Sequence, residues 1–264
     1  MRRSVARQNS LMPDVLTVVL ILVFLSATPA LAQQPPGSSR PATVPSDYVI
    51  TPFGYFHPSC VRAVASGDRV LADGRVEHTD GTVDAEAPVC QYPHYTAHGE
   101  LFGEDLAPVV AGWLEDGTAT TATSFAKLSA TWPVPPVPST TSDNQIDYFF
   151  PGLMQAPQVG SILQPVLAWN QTAYGGDPGA PNVWSIASWN CCPSGINVHS
   201  TFMTVNPGDT ILGTVVSTCA PGTMSCPTWN ITTKDQYSGV TSTLANTSSV
   251  GQTYDLAFSG VLEV

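Results

Sequence analysis

The sequence predicts an all-β protein, because short strand-like runs recur along its second half and no stretch follows the 3.6-residue period of a helix. The runs are rich in Val, Thr, Ser and Trp, and Gly, Pro, Asn or Asp separates each run from the next. Many short strands with this spacing are typical of a β-sandwich or a β-barrel.

Residues 1–32 have the parts of a secretory signal peptide. Three arginines stand among the first seven residues, an apolar run extends from Leu16 to Leu25, and residues 30–32 (Ala-Leu-Ala) form a small-residue cleavage site. The apolar run is shorter than the roughly 20 residues that cross a bilayer. We therefore expect cleavage after residue 32 and a secreted, extracellular protein with no membrane contact afterwards. An uncleaved N-terminal anchor is the alternative.

Two further segments precede the strand-rich half. Residues 33–47 are rich in Pro, Gln and Ser, which is the composition of a disordered linker. Residues 48–125 are rich in Gly, Asp and His, and they contain Asp-Gly turn sequences at 73–74 and 80–81. We expect 48–125 to form a small disulfide-tied β segment or a prosegment, and 126–264 to form the sandwich.

The chain is acidic, with nine Lys and Arg against twenty Asp and Glu and a formal net charge of −11. A nucleic-acid partner needs a basic surface, so the composition argues against that class of partner. The scarcity of basic groups suits an acidic medium. Below about pH 4 the carboxylates take up protons and become neutral, and a chain with few Lys and Arg then has little positive charge to repel itself. A secreted protein without that adaptation has a similar composition.

Six cysteines after a signal peptide predict disulfides. Cys60 and Cys90 lie together in the N-terminal part, so they form the simplest pair. The remaining cysteines lie in the C-terminal part, and they are Cys191, Cys192, Cys219 and Cys226. Adjacent cysteines do not readily bond to each other, so we expect each of the first two to reach one of the last two. The spacings do not match paired CxxC motifs, so a zinc site is not expected.

Two other sequence features concern modification and metal binding. Three N-x-[ST] sequons predict glycans on exposed turns if the source is eukaryotic, and they begin at Asn170, Asn230 and Asn246. His94, His98 and Glu100 have a spacing that suits a metal ion only on a helix. Pro93 and Gly99 beside them predict a loop instead, so no metal is expected.

From about residue 127 to 264, a series of motifs resembles the glutamic peptidases, the eqolisin family of acid endopeptidases. LSATWPVPPVPS resembles the family's G-T-W-x-V-P strand, YFFPGL stands in the place of its A-W-V-G-I strand, and SILQPVL resembles its I-L-Q-x-G-V strand. WSIASWN, VNPGDTILGTV and WNITTKD follow in the family's order. Each motif alone is weak, and it is their shared order and spacing that make the resemblance.

The resemblance implies a fold and a chemistry. The family folds as two packed antiparallel sheets, a concanavalin A-like sandwich of the jelly-roll type, and hydrolyses peptide bonds with a Gln/Glu dyad and an activated water. Its glutamine matches Gln164 of the I-L-Q motif, and Glu263 is the only carboxylate in FSGVLEV, the segment in the place of its glutamate strand. No metal and no cofactor are implied, and the partner is a polypeptide substrate.

The residue types fit that chemistry. Strand alternation places Gln164 with Ile162 and Val166 on one face, where a neutral amide holds a water through its C=O and offers N–H to an oxyanion. Glu263 takes the proton of the water and returns it to the leaving amine. A structural role for Gln164, bonded to a neighbouring strand, is the alternative. The aromatic residues expected to line a peptide groove, or to fill the core, are Trp132, Tyr148, Trp169, Trp184 and Trp189.

Two departures from the family favour a second interpretation. WSIASWN has Ala187 and Ser188 where the family has a glutamate, and the sequence stops at Val264 where the family continues for several strands. We expect either a truncated chain or an N-terminal segment that supplies the missing strands. The alternative function is a catalytically inactive secreted β-sandwich that binds glycan or protein. The sequence does not indicate an oligomeric state.

Overall fold

A computed structural model describes residues 40–102, 113–139, 145–156, 160–173, 177–192 and 195–263, with the strand ends 113–116 and 261–263 described by their backbone alone. The predicted signal peptide and most of the predicted linker lie outside these ranges. Within them there is no α-helix, and one short 3-10 turn spans Pro58–Cys60. None of the described helical residues forms a helix with the length and apolar composition needed to cross a membrane.

The strands of the described part are numbered in chain order. They are β1 (Val49–Thr51), β2 (Gly54–Phe56), β3 (Val61–Val64), β4 (Arg69–Val70), β5 (Val76–Glu77), β6 (Trp113–Thr120), β7 (Lys127–Pro133), β8 (Asp147–Met154), β9 (Ile162–Gln171), β10 (Ala180–Cys191), β11 (Asn197–Ser200), β12 (Met203–Val205), β13 (Thr210–Ser217), β14 (Thr228–Asp235), β15 (Thr241–Ser248) and β16 (Leu256–Glu263).

Two sheets form a sandwich, so the predicted all-β fold class is confirmed. In the described ranges, the first sheet has eight strands in the order β3-β11-β10-β9-β8-β16-β6, with β12 beside β10, and the second has six in the order β5-β4-β15-β14-β13-β7. Strands β1 and β2 form a separate hairpin. Most pairs are antiparallel, whereas β3 pairs with β11 and β4 pairs with β15 in parallel.

The described parts of residues 48–125 contribute strands to both sheets of the sandwich. Strand β3 forms one edge of the eight-stranded sheet, β6 forms the other edge against β16, and β4 and β5 extend the six-stranded sheet. Residues 40–47 form turns ahead of β1, where Val44 is buried and the Thr43 hydroxyl donates to the Gly99 carbonyl at 2.7 Å. The linker predicted for residues 33–47 stays a prediction.

The disulfides agree with the sequence prediction at one place and differ at the others. Cys60 pairs with Cys90, as predicted. Cys219 pairs with Cys226, and Cys191 pairs with Cys192, so the prediction that Cys191 and Cys192 each reach the later cysteines is wrong. The reason is the β13–β14 hairpin, whose loop brings the Cα atoms of Cys219 and Cys226 to 5.8 Å and so satisfies both residues locally.

The two faces of the eight-stranded sheet differ in what they contact. The inner face packs on the six-stranded sheet: the Ser188 hydroxyl lies 3.0 Å from the Thr233 hydroxyl, and the Asn190 amide donates to the Thr247 hydroxyl at 2.7 Å. Pro165 of β9 lies opposite Ser188, so odd-numbered residues of β9 point inward. Gln164 and Trp189 therefore lie on the opposite face, which we call the outer face. The alternation predicted for β9 is confirmed.

A cluster of charged side chains ties the N-terminal strands of the two sheets together. His78 Nδ1 lies 2.8 Å from Asp68, and its Nε2 lies 3.3 Å from Asp84, which also accepts hydrogen bonds from Arg62 and from the Val76 N–H. The hydrogen bond to Asp68 is the main reason why the pKa of His78 is raised. Burial raises the pKa of Asp84, but the bonds from Arg62 and Val76 outweigh it and lower the net value.

We expect this cluster to stabilise the fold most between about pH 4 and pH 6.5, the usual pKa values of Asp and His. The raised pKa of His78 gives stability that is complete below its unfolded value and is lost as the pH rises through the folded value. The lowered pKa of Asp84 gives stability that is lost as the pH falls through its folded value. Replacing His78 with Ala is therefore expected to lower the Tm more at pH 5.5 than at pH 9.

Thermal unfolding followed by circular dichroism measures this difference. Val89, a non-titrating residue of the same segment that is 58% exposed, provides the control, because Val89→Ala is expected to change the Tm equally at both pH values. An equal loss of Tm at pH 5.5 and pH 9 in the His78→Ala variant would contradict the assignment.

Candidate functional site

Gln164 lies in the middle of the eight-stranded sheet and has no exposed surface. It lies opposite Trp189 of β10 on one side, and the β8–β9 register places Gly152 opposite it on the other. Gly152 in turn lies opposite Phe258 of β16. Paired residues share a face, so Trp189, Gln164, Gly152 and Phe258 form one line across the outer face, which we call the Gln164 row.

Neither amide atom of Gln164 has a hydrogen-bond partner in the described part of the chain. A buried polar group in this condition costs about 1–3 kcal/mol relative to a satisfied one. The neighbouring carboxamide of Asn190 is satisfied instead, since it accepts from Ser161 at 2.6 Å and donates to Thr247 and Ser248. The predicted structural role of Gln164, an amide bonded to a neighbouring strand, is therefore not observed.

Two prolines adjoin the Gln164 row on central strands. Pro165 follows Gln164 on β9, and the register places Pro151 of β8 opposite it. A proline has no N–H for the ladder, so it is found mainly on edge strands. The β8–β9 pairs observed on either side skip these positions, whereas β9 continues to pair with β10 through Pro165.

The structure does not bring Glu263 beside Gln164. The backbone of Glu263 lies opposite Tyr148 of β8, and Tyr148 lies opposite Ala168 of β9, four residues from Gln164. The two positions are therefore two strands apart across the sheet and four residues apart along it. Standard strand dimensions give a Cα separation of about 16 Å. The two positions belong to the same face of the sheet, but their backbones are not neighbours on it.

No carboxylate stands near the Gln164 row on the outer face of the central strands. Within two residues of the row, the described outer-face positions of β8 to β10 are occupied by Phe150, Gly152, Met154, Ile162, Gln164, Val166, Ala187, Trp189 and Cys191. This neighbourhood is apolar apart from the Gln164 amide. None of these described positions of β8 to β10 carries a carboxylate.

The five aromatic residues predicted to bind substrate are divided between the two faces. Trp169 and Trp184 lie in the cluster that contains Ile211 of the six-stranded sheet, with ring centroids 5.5 Å apart, and Trp132 packs against the same cluster. Only Tyr148 and Trp189 share the outer face with Gln164. All but Trp132 are buried, as expected for residues that fill the core rather than line an open groove.

Sequence reasoning missed His199, which is fully buried beside the Gln164 row. His199 lies opposite Trp189, and their rings stack with centroids 4.5 Å apart. Its ring also stacks on Phe202 at 4.7 Å, and Nδ1 lies 2.9 Å from the Ser200 carbonyl. Burial lowers the pKa of His199 to about 4, so the ring is neutral above that pH.

Part of the N-terminal segment lies against the outer face. The Tyr148 hydroxyl donates to the carbonyl of Ile50 in β1 at 3.4 Å. Phe53 and Phe56 belong to the same continuous buried cluster as Phe150 and Trp189. Polypeptide from residues 48–102 therefore contacts the face that carries Gln164.

The three sequons differ in how their asparagines are used. The Asn170 side chain donates to the Gln145 carbonyl and accepts from the Asn182 N–H, so both its polar atoms have backbone partners. The Asn230 side chain accepts from the N–H of Asn246. Glycosylation at the three positions stays a prediction.

Comparisons with known proteins gave structural neighbours only. No family model and no curated protein matches the sequence. Among solved structures, scytalido-glutamic peptidase with a peptide-based transition state analogue is similar at 19% identity and a TM-score of 0.40, over 58% of this chain and 64% of that one. SCP-B, a member of the eqolisin family in complex with the tripeptide Ala-Ile-His, is similar at 21% identity and a TM-score of 0.35, over 56% and 62%. The chain thus spans less than two thirds of these neighbours.

Replacing Gln164 with Met is expected to leave the free energy of unfolding unchanged or to raise it by up to about 3 kcal/mol, because the variant removes a buried unsatisfied amide. Replacing Asn190 with Leu is the matched control and is expected to lower it by about 1–3 kcal/mol, because satisfied partners lose their bonds. Urea unfolding measures both. A loss of stability in Gln164→Met as large as that in Asn190→Leu would show that the Gln164 amide is bonded.

Proposed function

We propose that the protein is a secreted β-sandwich of the glutamic-peptidase type that binds extended polypeptide on the outer face of its eight-stranded sheet without hydrolysing it. The observation that carries the proposal is the state of Gln164: a buried amide without a partner, in a row that has no carboxylate. The ordered motifs around SILQPVL support the type of sandwich. Secretion is supported by the signal-like N-terminus and by the disulfides.

A polypeptide fits this face better than a glycan does. A Gln side chain offers one N–H donor and one C=O acceptor, which are the groups that a peptide main chain also offers and accepts. The face already contacts polypeptide in the form of residues 48–102, through Tyr148 and Ile50. The tryptophans that would stack on sugar rings lie mainly toward the six-stranded sheet, with Trp169 and Trp184 buried there.

Binding of a second polypeptide requires that the β1–β2 hairpin give way. The Tyr148–Ile50 hydrogen bond helps to hold that hairpin, and a neutral hydrogen bond of this kind is worth about 0.5–1.5 kcal/mol. An incoming chain would compete for the same surface. The hairpin therefore sets the affinity as much as the face does.

The second candidate is an acid endopeptidase in which Gln164 and Glu263 form the dyad. The motif order and the unpartnered amide favour it. In that reaction the water oxygen bonds to the carbonyl carbon, its proton passes to Glu263, and the proton then goes to the amine nitrogen as the C–N bond breaks. The dyad requires the end of β16 to move toward Gln164 by several ångströms from the observed register. A carboxylate base of this kind would work best at acid pH.

We expect residues 33–264 to bind a reduced, carboxymethylated protein at pH 4 and to release no new amino groups from it between pH 2 and pH 5. Tyr148→Phe is expected to tighten binding about 2- to 10-fold, because it removes the bond that holds the hairpin. The control is Tyr237→Phe, since Tyr237 is 87% exposed and lies away from that hairpin bond.

Calorimetric titration measures the affinity, and amino-group labelling measures cleavage. Proteolysis by the wild type that disappears in Glu263→Gln would select the second candidate. Binding on a glycan array with no affinity for the unfolded protein would contradict a polypeptide partner.

A further inference from the structure

We propose that residue 258 is the position that this fold pairs with Gln164, and that Phe258 there determines that the site binds rather than cleaves. The inference deepens the proposed function and rests on it for the identity of the ligand. The pairing itself depends only on the register of the sheet.

The register singles out position 258. Phe258 lies opposite Gly152, and Gly152 lies opposite Gln164. Positions 258 and 164 are therefore separated by one strand, β8, and lie at the same level along the strands. Standard strand spacing gives a Cα separation of about 10 Å. Glu263, by contrast, lies four residues further along β8, opposite Tyr148.

Gly152, the residue between positions 258 and 164, leaves a space that the Phe258 ring enters. A Cβ at position 152 would lie 2.7 Å from Phe258 Cε2 and 2.7 Å from the Leu163 carbonyl oxygen, so the aromatic ring occupies the place of the missing side chain. Phe258 is itself buried, and its ring meets Phe150 edge-on with centroids 6.0 Å apart. The space beside Gln164 on this side of β9 is therefore filled by an aromatic ring.

The chemistry of position 258 follows from that placement. A carboxylate there would accept from the Gln164 N–H and could take the proton of a water held between the two groups. A phenyl ring accepts no proton and displaces the water. With Phe258 in place, the Gln164 amide is left to donate to, and accept from, a ligand such as a peptide group.

Phe258→Glu tests the pairing through the pKa of the introduced carboxyl, followed by carbon-13 NMR in the full mature chain. Adding Gln164→Leu removes the N–H donor, so we expect the pKa of that carboxyl to rise by about 1. The Glu263 carboxyl, titrated in the same spectra, is the matched control and is expected to keep its pKa. No change at the introduced carboxyl, or an equal change at Glu263, would overturn the proposal.

A neutral variant covers the case in which a buried carboxyl prevents folding. Phe258→Gln places a second amide in the row, so Gln164→Leu is expected to lower the Tm more in that background than in the wild type. Additive effects would overturn the pairing. Wild-type proteolysis abolished by Glu263→Gln would also overturn it. Failure of the protein to bind polypeptide would contradict the proposed function but leave the titration result unaffected.

Discussion

The backbone register across β10, β9, β8 and β16 is the constraint on which the candidate site depends. A slip of one residue in any of these pairs would turn the affected side chains to the other face. The observed register aligns Trp189, Gln164, Gly152 and Phe258 across the sheet. It places Glu263 opposite Tyr148, outside this row. The same register places Pro165 on the inner face, next to the amide along β9. The register therefore determines which side chains stand beside the Gln164 amide.

The Gln164 row is buried, and burial sets the free-energy cost of its unpaired amide. In the dry interior of a sheet, an amide without partners is costly, and a nearby carboxylate or water would relieve it. Here an aromatic ring stands in their place, and the N-terminal segment contacts the same face through Ile50. That segment also supplies edge strands to both sheets, so it is part of the sandwich as well as a cover. Under the proposed function, a face closed in this way has to open before a polypeptide binds to it.

The sequence was sufficient for the fold class and for the alternation of β9, because period-2 patterns and turn residues are local. It was also sufficient for the Cys60–Cys90 pair. It did not predict the pairing of Cys219 with Cys226, which depends on where the β13–β14 hairpin turns. The residue that lies across Gly152 from Gln164 was out of reach for the same reason. Glu263 is the acid that the motif order indicates, whereas Phe258 is the residue that the strand register places there, because β-bulges in β16 shift the count. His199 was overlooked because its role comes from stacking on Trp189 of another strand.

The nuclear Overhauser effect from the side-chain amide protons of Gln164 tests the proposed row most directly. With Gln164 labelled by nitrogen-15, we expect cross-peaks to the ring protons of Phe258 and Trp189, with slow exchange against water. Cross-peaks to the side chain of Glu263, or rapid exchange with bulk water at neutral pH, would contradict it.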